Sequence, residues 1–282
     1  MLSIQNETER IGGSRKKMNA QKSGRSKAIR NGEPIEACGL CFYPITMENY
    51  EEFATCKDAL LLRLGTLPVK YSCRNYLSAV FAMETDAALD GTPTAGIFAR
   101  ILTLTCLSLR IGFDMGEILE HATVIRDEKG ISLSELEFSQ NGKTVKVSAR
   151  EFSNIIRPLI AEQNGLKLPN ESENAELVKD AELLAQSNSD ISLNINTDDL
   201  IASVAYQSGI RERDINAWTV REFENRRKAI QRDKRYQMYG TAELSGMVSF
   251  KKGNPAPCWE FDVKADECGT MPLSEIGKVF NK

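Results

Sequence analysis

The stretch between residues 97 and 109 constrains the fold more than any other part of this sequence. Its apolar side chains recur at three- and four-residue spacing and cover most sides of a helix. They are Ile97, Phe98, Ile101, Leu102, Leu104, Leu107 and Leu109. A helix that is apolar on most sides lies inside a core rather than on a surface. Arg100 and several Thr and Ser residues make the stretch too polar for a membrane span. We therefore expect other helices to pack around it.

Two further helices are predicted before this central one. Thr46 opens the first, with acidic residues in its first turn and an apolar face, and Gly65 stops it. Aromatic and aliphatic residues between positions 71 and 83 indicate the second, which the Asp90-Gly91 turn ends. Three helices in about 80 residues are enough for a compact helical domain.

A β-hairpin is predicted at residues 131–147. Two alternating apolar and polar runs flank Asn141-Gly142, and Asn-Gly between such runs favours a tight hairpin turn. Ser148 and Glu151 then form a capping box that opens a helix ending at Asn164-Gly165. Pro158 is expected to bend this helix or to mark its frayed last turn.

Charge divides the chain into segments. Residues 10–30 contain eight Lys or Arg and no acidic residue, whereas residues 162–199 contain nine acidic residues and two lysines. We interpret residues 1–36 as a disordered basic arm and residues 166–196 as an acidic linker. The predicted fold is mainly α, with two helical units joined by that linker. These units are a helical domain with the hairpin at 37–165 and a helical module with an irregular tail at 197–282.

The C-terminal module has clear helix signals. A capped helix from Thr197 ends at Gly209, a short helix or turn follows, and Thr219 with Glu222 makes a capping box for a longer helix. This outline is similar to a helix-turn-helix. The longer helix presents one basic face, made of Arg221, Lys228, Arg232 and Arg235. The face is either a nucleic-acid interface or a solvated helix surface.

Few residues in the sequence suggest a catalytic or metal-binding site. Cys38 and Cys41 form the single CxxC, which is either a metal or redox pair or two small core residues, and their role stays open. His121 is the only histidine and is expected at a helix end rather than as a catalytic base. No phosphate-binding, dinucleotide-binding or zinc-protease motif is present. We therefore predict no enzyme activity, no metal and no cofactor. Seven cysteines without a secretory segment before them indicate reduced thiols in a cytoplasm.

Several blocks of the sequence resemble the tail assembly chaperones of tailed phages and prophages of Gram-positive bacteria. These blocks are FYPITMENYEEF and LGTLPVKYSCRNYLSAVFAME within residues 42–84, EFSNIIRPLIAEQNGLKLP at 151–169, DINAWTVREF at 214–223 and AELSGMVSFKKGNPAPCW at 242–259. The basic arm and the cysteine-rich front are not features that we associate with the family.

The resemblance implies a non-enzymatic protein of the bacterial host cytoplasm that binds the tape-measure protein, or another tail protein, during virion assembly. A binder of amphipathic helices needs an exposed apolar or aromatic groove. The candidate partner-binding residues are Trp218, Phe223, Tyr236, Tyr239 and Trp259. Alternatively they form the core of the C-terminal unit, which we favour for Trp218 and Phe223. Two other functions stay open: a helix-turn-helix regulator that binds nucleic acid, and a structural tail or head–tail component. We expect no membrane partner and only weak, non-specific DNA binding.

Overall fold

The computed structural model describes residues 24–112, 115–126, 133–171, 196–246, 250 and 254–260. These residues are mostly helical with two small antiparallel sheets, so the predicted mainly α class with a minor β component is confirmed. The helices are 24–30, Tyr50–Leu61, Val69–Ser72, Tyr76–Leu89, Ile97–Leu109, Met115–His121, Ala149–Glu151, Arg157–Gln163, Thr197–Ser208, Glu212–Ile215 and Val220–Leu244. Single 3-10 turns lie at Met47–Asn49 and Leu64–Thr66. Within the described ranges, no helix combines the length and apolarity that crossing a bilayer requires.

The helix Ile97–Leu109, here called the central helix, lies inside the core as predicted. Ile101, Leu104 and Cys106 have no exposed surface, and Leu109 is 1% exposed. The neighbouring helices Tyr50–Leu61 and Tyr76–Leu89 both pack against it. Because each fully buried Leu or Ile contributes roughly 1.5–3 kcal/mol, this helix is a main source of the stability of the fold.

The predicted hairpin is confirmed. It consists of β4 (Leu133–Gln140) and β5 (Lys143–Ser148), and Asn141 and Gly142 adopt positive φ angles of 52° and 74° at the turn. A third strand, β3 (Ala122–Arg126), pairs with β4 so that the sheet order is β3-β4-β5. The sequence did not indicate β3, because a five-residue run directly after a helix carries too little alternation to stand out.

The capping box of Ser148 and Glu151 is present, and the helix it opens ends at Asn164 as predicted. Pro158 lies at the second residue of the segment Arg157–Gln163, directly after a π-helical turn at Phe152–Ile156. Proline has no backbone N–H for an intrahelical hydrogen bond, and the wider π turn accommodates this loss. Pro158 therefore marks an irregularity inside the helix rather than its frayed end.

The prediction of disorder for residues 1–36 is wrong for the part that the structure describes. Residues 24–30 form a helix in which Ile29 is only 4% exposed, and Arg25 pairs with Glu162 at 2.9 Å. β1 (Ile35–Ala37) then pairs with β2 (Leu40–Phe42). The composition of the arm is typical of disorder, but burial of one isoleucine against a distant element is a tertiary contact without a local signal. Residues 1–23 lie outside the described residues.

Residues on both sides of the predicted acidic linker contribute to one hydrophobic cluster. Val204, Ile215 and Val220 are buried together with Phe42 and Tyr50. The two predicted helical units therefore share one hydrophobic core. Residues 172–195, most of the predicted linker, lie outside the described residues, and the boundary itself stays a prediction.

Three backbone contacts hold the two sides together. The Met47 N–H donates to the Trp218 carbonyl at 2.8 Å, the Val220 N–H donates to the Ile45 carbonyl at 2.9 Å, and Thr46 bridges Thr219. The start of the last helix is thus fixed to the first half of the chain.

Candidate functional site

The five predicted partner-binding residues do not form one groove. Phe223 has no exposed surface and packs edge-on against Tyr50, with the ring centroids 6.1 Å apart. It is a core residue, as we favoured, and it is not available to a partner. From Phe223 to Tyr239 the helix Val220–Leu244, here called the C-terminal helix, rises by about 24 Å at 1.5 Å per residue. The candidates therefore belong to separate surfaces.

Trp218 lies at the edge of the core and is partly exposed. The guanidinium of Arg226 lies 5.5 Å from its ring, which is the distance of a cation–π contact. Trp218 and Arg226 line a cavity of about 590 Å³ together with Glu222, Asn225 and Ala229. Glu222 caps the helix, whereas Arg226, four residues later, lies over Trp218.

The other three candidates lie near the far end of the C-terminal helix. Tyr236 is 39% exposed and Trp259 is 53% exposed. Tyr239 is partly exposed and makes an edge-on contact with Phe250 at 5.6 Å. The Arg232 Nε donates to the Trp259 carbonyl at 3.3 Å, which holds the returning chain beside the helix. We call Tyr236, Tyr239 and Trp259 the aromatic end.

The helix geometry explains why these side chains form a surface. Tyr236 and Tyr239 are three residues apart and Arg232 is four residues before Tyr236, so all three share one face of the helix. Ile230 is the last residue of this helix that packs against the main hydrophobic cluster. The segment 231–244 therefore continues for about 21 Å beyond that contact.

The C-terminal helix is longer than predicted. The sequence pattern changes at Gly240, but the helix continues through it and ends at Leu244. The described tail residues 254–260 contain no helix or strand. The Asn254 amide donates to a Glu243 carboxylate oxygen at 2.9 Å, so this tail lies along the last turns of the helix.

The CxxC pair lies at the hairpin formed by β1 and β2. Cys38 and Gly39 occupy the turn with φ angles of 52° and 78°. The Cys41 N–H donates to Gln140 Oε1 at 2.9 Å, and Gln140 Nε2 donates to the Cys41 and Leu109 carbonyls. Burial raises the pKa of the Cys38 thiol, so this group is protonated and a poor nucleophile near neutral pH. A redox pair between a strand and a helix is not the geometry found here.

The other candidates for chemistry are His121 and possible groups of metal ligands. His121 is the last residue of the helix Met115–His121, as predicted. In the described part of the chain, no three His, Cys, Asp or Glu side chains are grouped so that they could hold a metal ion. The absence of enzyme activity and of cofactors stays a prediction.

The basic face of the C-terminal helix is partly used inside the molecule. Arg221 Nη1 donates to the Glu162 carbonyl at 2.6 Å. Arg232 Nε donates to the Trp259 carbonyl at 3.3 Å. Because Val220 and Phe223 are buried, the first turn of this helix is anchored in the core rather than free to enter a DNA groove.

Comparisons of this chain with protein-family models, with curated proteins and with solved structures give no match.

Proposed function

We propose that this protein is a non-enzymatic phage tail assembly chaperone that binds an amphipathic helix of the tape-measure protein through its aromatic end. One observation supports this most directly. The second half of the C-terminal helix leaves the core and presents Tyr236 and Tyr239, and the returning chain segment with Trp259 is held beside it by Arg232.

The chemistry of this surface fits an apolar helical partner. Exposed aromatic side chains supply large contact areas with little loss of conformational freedom, and tyrosine and tryptophan dominate binding energy at interfaces. Met238 and Leu244, which are 57% and 90% exposed, extend the apolar area to neighbouring sides of the helix. Methionine adapts its shape to different partners, which suits a chaperone that binds several segments of one long protein.

In this proposal residues 166–196 link the helical domain to the module that carries the aromatic end. The chaperone acts in the cytoplasm of the bacterial host and leaves before the virion matures. Nucleic acid is not the principal partner, since the first turn of the predicted recognition helix is built into the core.

The binding test uses the full chain co-expressed with helical fragments of a tape-measure protein. A Tyr239→Ser/Trp259→Ala double variant should lose at least about tenfold in affinity, because interface aromatics are commonly worth more than 1–2 kcal/mol each. Tyr206→Ser is the matched control, since Tyr206 is 84% exposed on the helix Thr197–Ser208. Equal affinity of the double variant and the control for the fragments would contradict the assignment of the aromatic end.

Mass spectrometry of purified particles separates a chaperone from a structural tail or head–tail component. A chaperone should be missing from particles, whereas a structural component is present in stoichiometric amounts. Nanomolar, sequence-selective binding to duplex DNA at physiological salt would instead favour the helix-turn-helix regulator.

A further inference from the structure

A second recess lies where the helix 24–30 meets the first turns of the C-terminal helix. We call it the basic groove, and its volume is about 550 Å³. It is lined by Ser26, Lys27, Ile29, Arg30, Arg221 and Asn225, and by Glu222 at its edge. The buried Ile29 and the Arg25–Glu162 ion pair hold the shorter helix in place. The groove therefore joins two basic segments that are almost 200 residues apart in the chain.

The groove and the neighbouring Trp218 cavity adjoin on the first turns of the C-terminal helix, and we call the two together the track. Both are lined by Glu222 and Asn225. Four cations line the track, Lys27, Arg30, Arg221 and Arg226, against the single carboxylate of Glu222. That carboxylate accepts hydrogen bonds from the Thr219 N–H at 2.8 Å and its hydroxyl at 3.0 Å. The Glu222 carboxylate is therefore used in the helix cap, and the four cations give the track a net positive charge.

We propose that this track binds single-stranded nucleic acid without sequence selectivity. Lys27, Arg30 and Arg221 would contact phosphates, and a base would stack on Trp218 beside Arg226. A basic groove combined with an aromatic platform is the arrangement that binds unpaired strands, because every base offers a flat face and the backbone charge is uniform. A duplex keeps its base faces stacked on one another, and a purely acidic peptide such as polyglutamate has no flat ring that could stack on Trp218.

This inference goes beyond the proposed function and uses a different surface. The basic arm by itself has no aromatic residue among its cations, so it offers no ring on which a base could stack. In the folded protein, Trp218 provides an aromatic ring beside these cations. Because the aromatic end is not part of the track, either proposal can fail while the other holds.

The first experiment measures fluorescence anisotropy of labelled dT20 and rU20 with the full-length protein. At about 50 mM salt we expect micromolar affinity, and three phosphate contacts predict roughly a 20-fold loss between 50 and 200 mM salt. Lys27→Glu/Arg30→Glu should weaken binding at least tenfold. The control Lys143→Glu/Lys146→Glu reverses two exposed charges on β5 that line neither recess and should have little effect. Unchanged affinity of the Lys27/Arg30 variant would overturn the proposal.

The second experiment measures the fluorescence emission of Trp218. The chain has two tryptophans, so Trp259→Phe leaves Trp218 as the only one. Stacking of dT20 should quench its emission, Trp218→Leu should lose about tenfold in affinity, and Trp218→Phe should retain most of it. Polyglutamate of equal length is the competing ligand. If it binds as tightly as dT20 and both leave Trp218 emission unchanged, the track is a site for acidic protein and the proposal fails.

Discussion

The central helix and the C-terminal helix show two different ways in which a helix is stabilised. The central helix has 13 residues, and eight of them are buried. The C-terminal helix has 25 residues, of which only Val220 and Phe223 are buried. The first is stabilised by burial, and the second by its capping box, its helix-forming residues and contacts within its own turns. A helix that contributes little to the core can therefore carry surface residues for binding.

The largest expected effect comes from removing buried volume in the central helix. Leu104→Ala should lower the free energy of unfolding by about 2–5 kcal/mol, because Leu104 has no exposed surface and truncation leaves a cavity. Leu244→Ala in the C-terminal helix is the matched control and should change stability by less than about 0.5 kcal/mol. Urea titrations followed by circular dichroism measure both. A similar loss of stability in the two variants would contradict the conclusion that burial stabilises the central helix much more than the C-terminal helix.

The buried cation Arg157, which contacts the end of the helix Tyr50–Leu61 and Tyr76, gives the next effect. Arg157 Nε donates to the Leu60 carbonyl at 2.9 Å, Nη2 donates to the Leu62 carbonyl at 3.0 Å, and the guanidinium lies 3.6 Å from the Tyr76 ring. Arg157→Met should cost roughly 2–3 kcal/mol, because the buried Leu60 carbonyl and the partly buried Leu62 carbonyl lose their charged donor. Arg157→Lys should be intermediate, since an ammonium cannot donate to both carbonyls in the same plane. A stability equal to the wild type in Arg157→Met would show that water replaces the guanidinium.

The two capping boxes allow the same change in the C-terminal helix and in the helix that begins at Ala149. Ser148→Ala and Thr219→Ala each remove the side chain that accepts the N–H of the third helical residue, at a cost of about 1 kcal/mol. Thr219 also bridges Thr46, but through its backbone, so the two costs should be similar. Thermal unfolding compares the variants. A much larger loss for Thr219→Ala would mean that the C-terminal helix depends on its cap more than we infer.

The smallest effect depends on pH. Hydrogen bonds from Tyr71 and Lys70 lower the pKa of Asp86 in the folded protein. A depressed carboxyl pKa stabilises the fold above the unfolded value of about 3.9 and loses this contribution as pH falls through the folded pKa. Asp86→Asn should therefore be less stable than the wild type at pH 6, and the difference should shrink towards pH 3. Asp90→Asn, at the end of the same helix, is the control. A difference that grows on acidification would contradict this assignment.

Local signals were sufficient for some elements and not for others. The periodicity of residues 97–109, the Asn141-Gly142 turn and both capping boxes predicted elements that the structure contains. The helix 24–30 was missed because its one anchor, Ile29, is buried by residues far away in the chain. Among the aromatic candidates, Tyr236 and Trp259 are exposed and Phe223 is buried. The sequence favoured a core position for Phe223, but the exposure of the later side chains depends on where the helix leaves the core.

The sequence alone was enough to predict most of the helical segments, where many of them begin, and the reversal of the chain at Asn141-Gly142. Helix periodicity, capping and turn preferences act between residues three or four positions apart, and for this reason they are readable without a structure. Only the tertiary structure decided that Trp218 and Val220 bond to Met47 and Ile45, and that two basic segments meet beside Trp218. These contacts join residues from opposite ends of the chain, and they depend on how much apolar surface each alternative arrangement would bury.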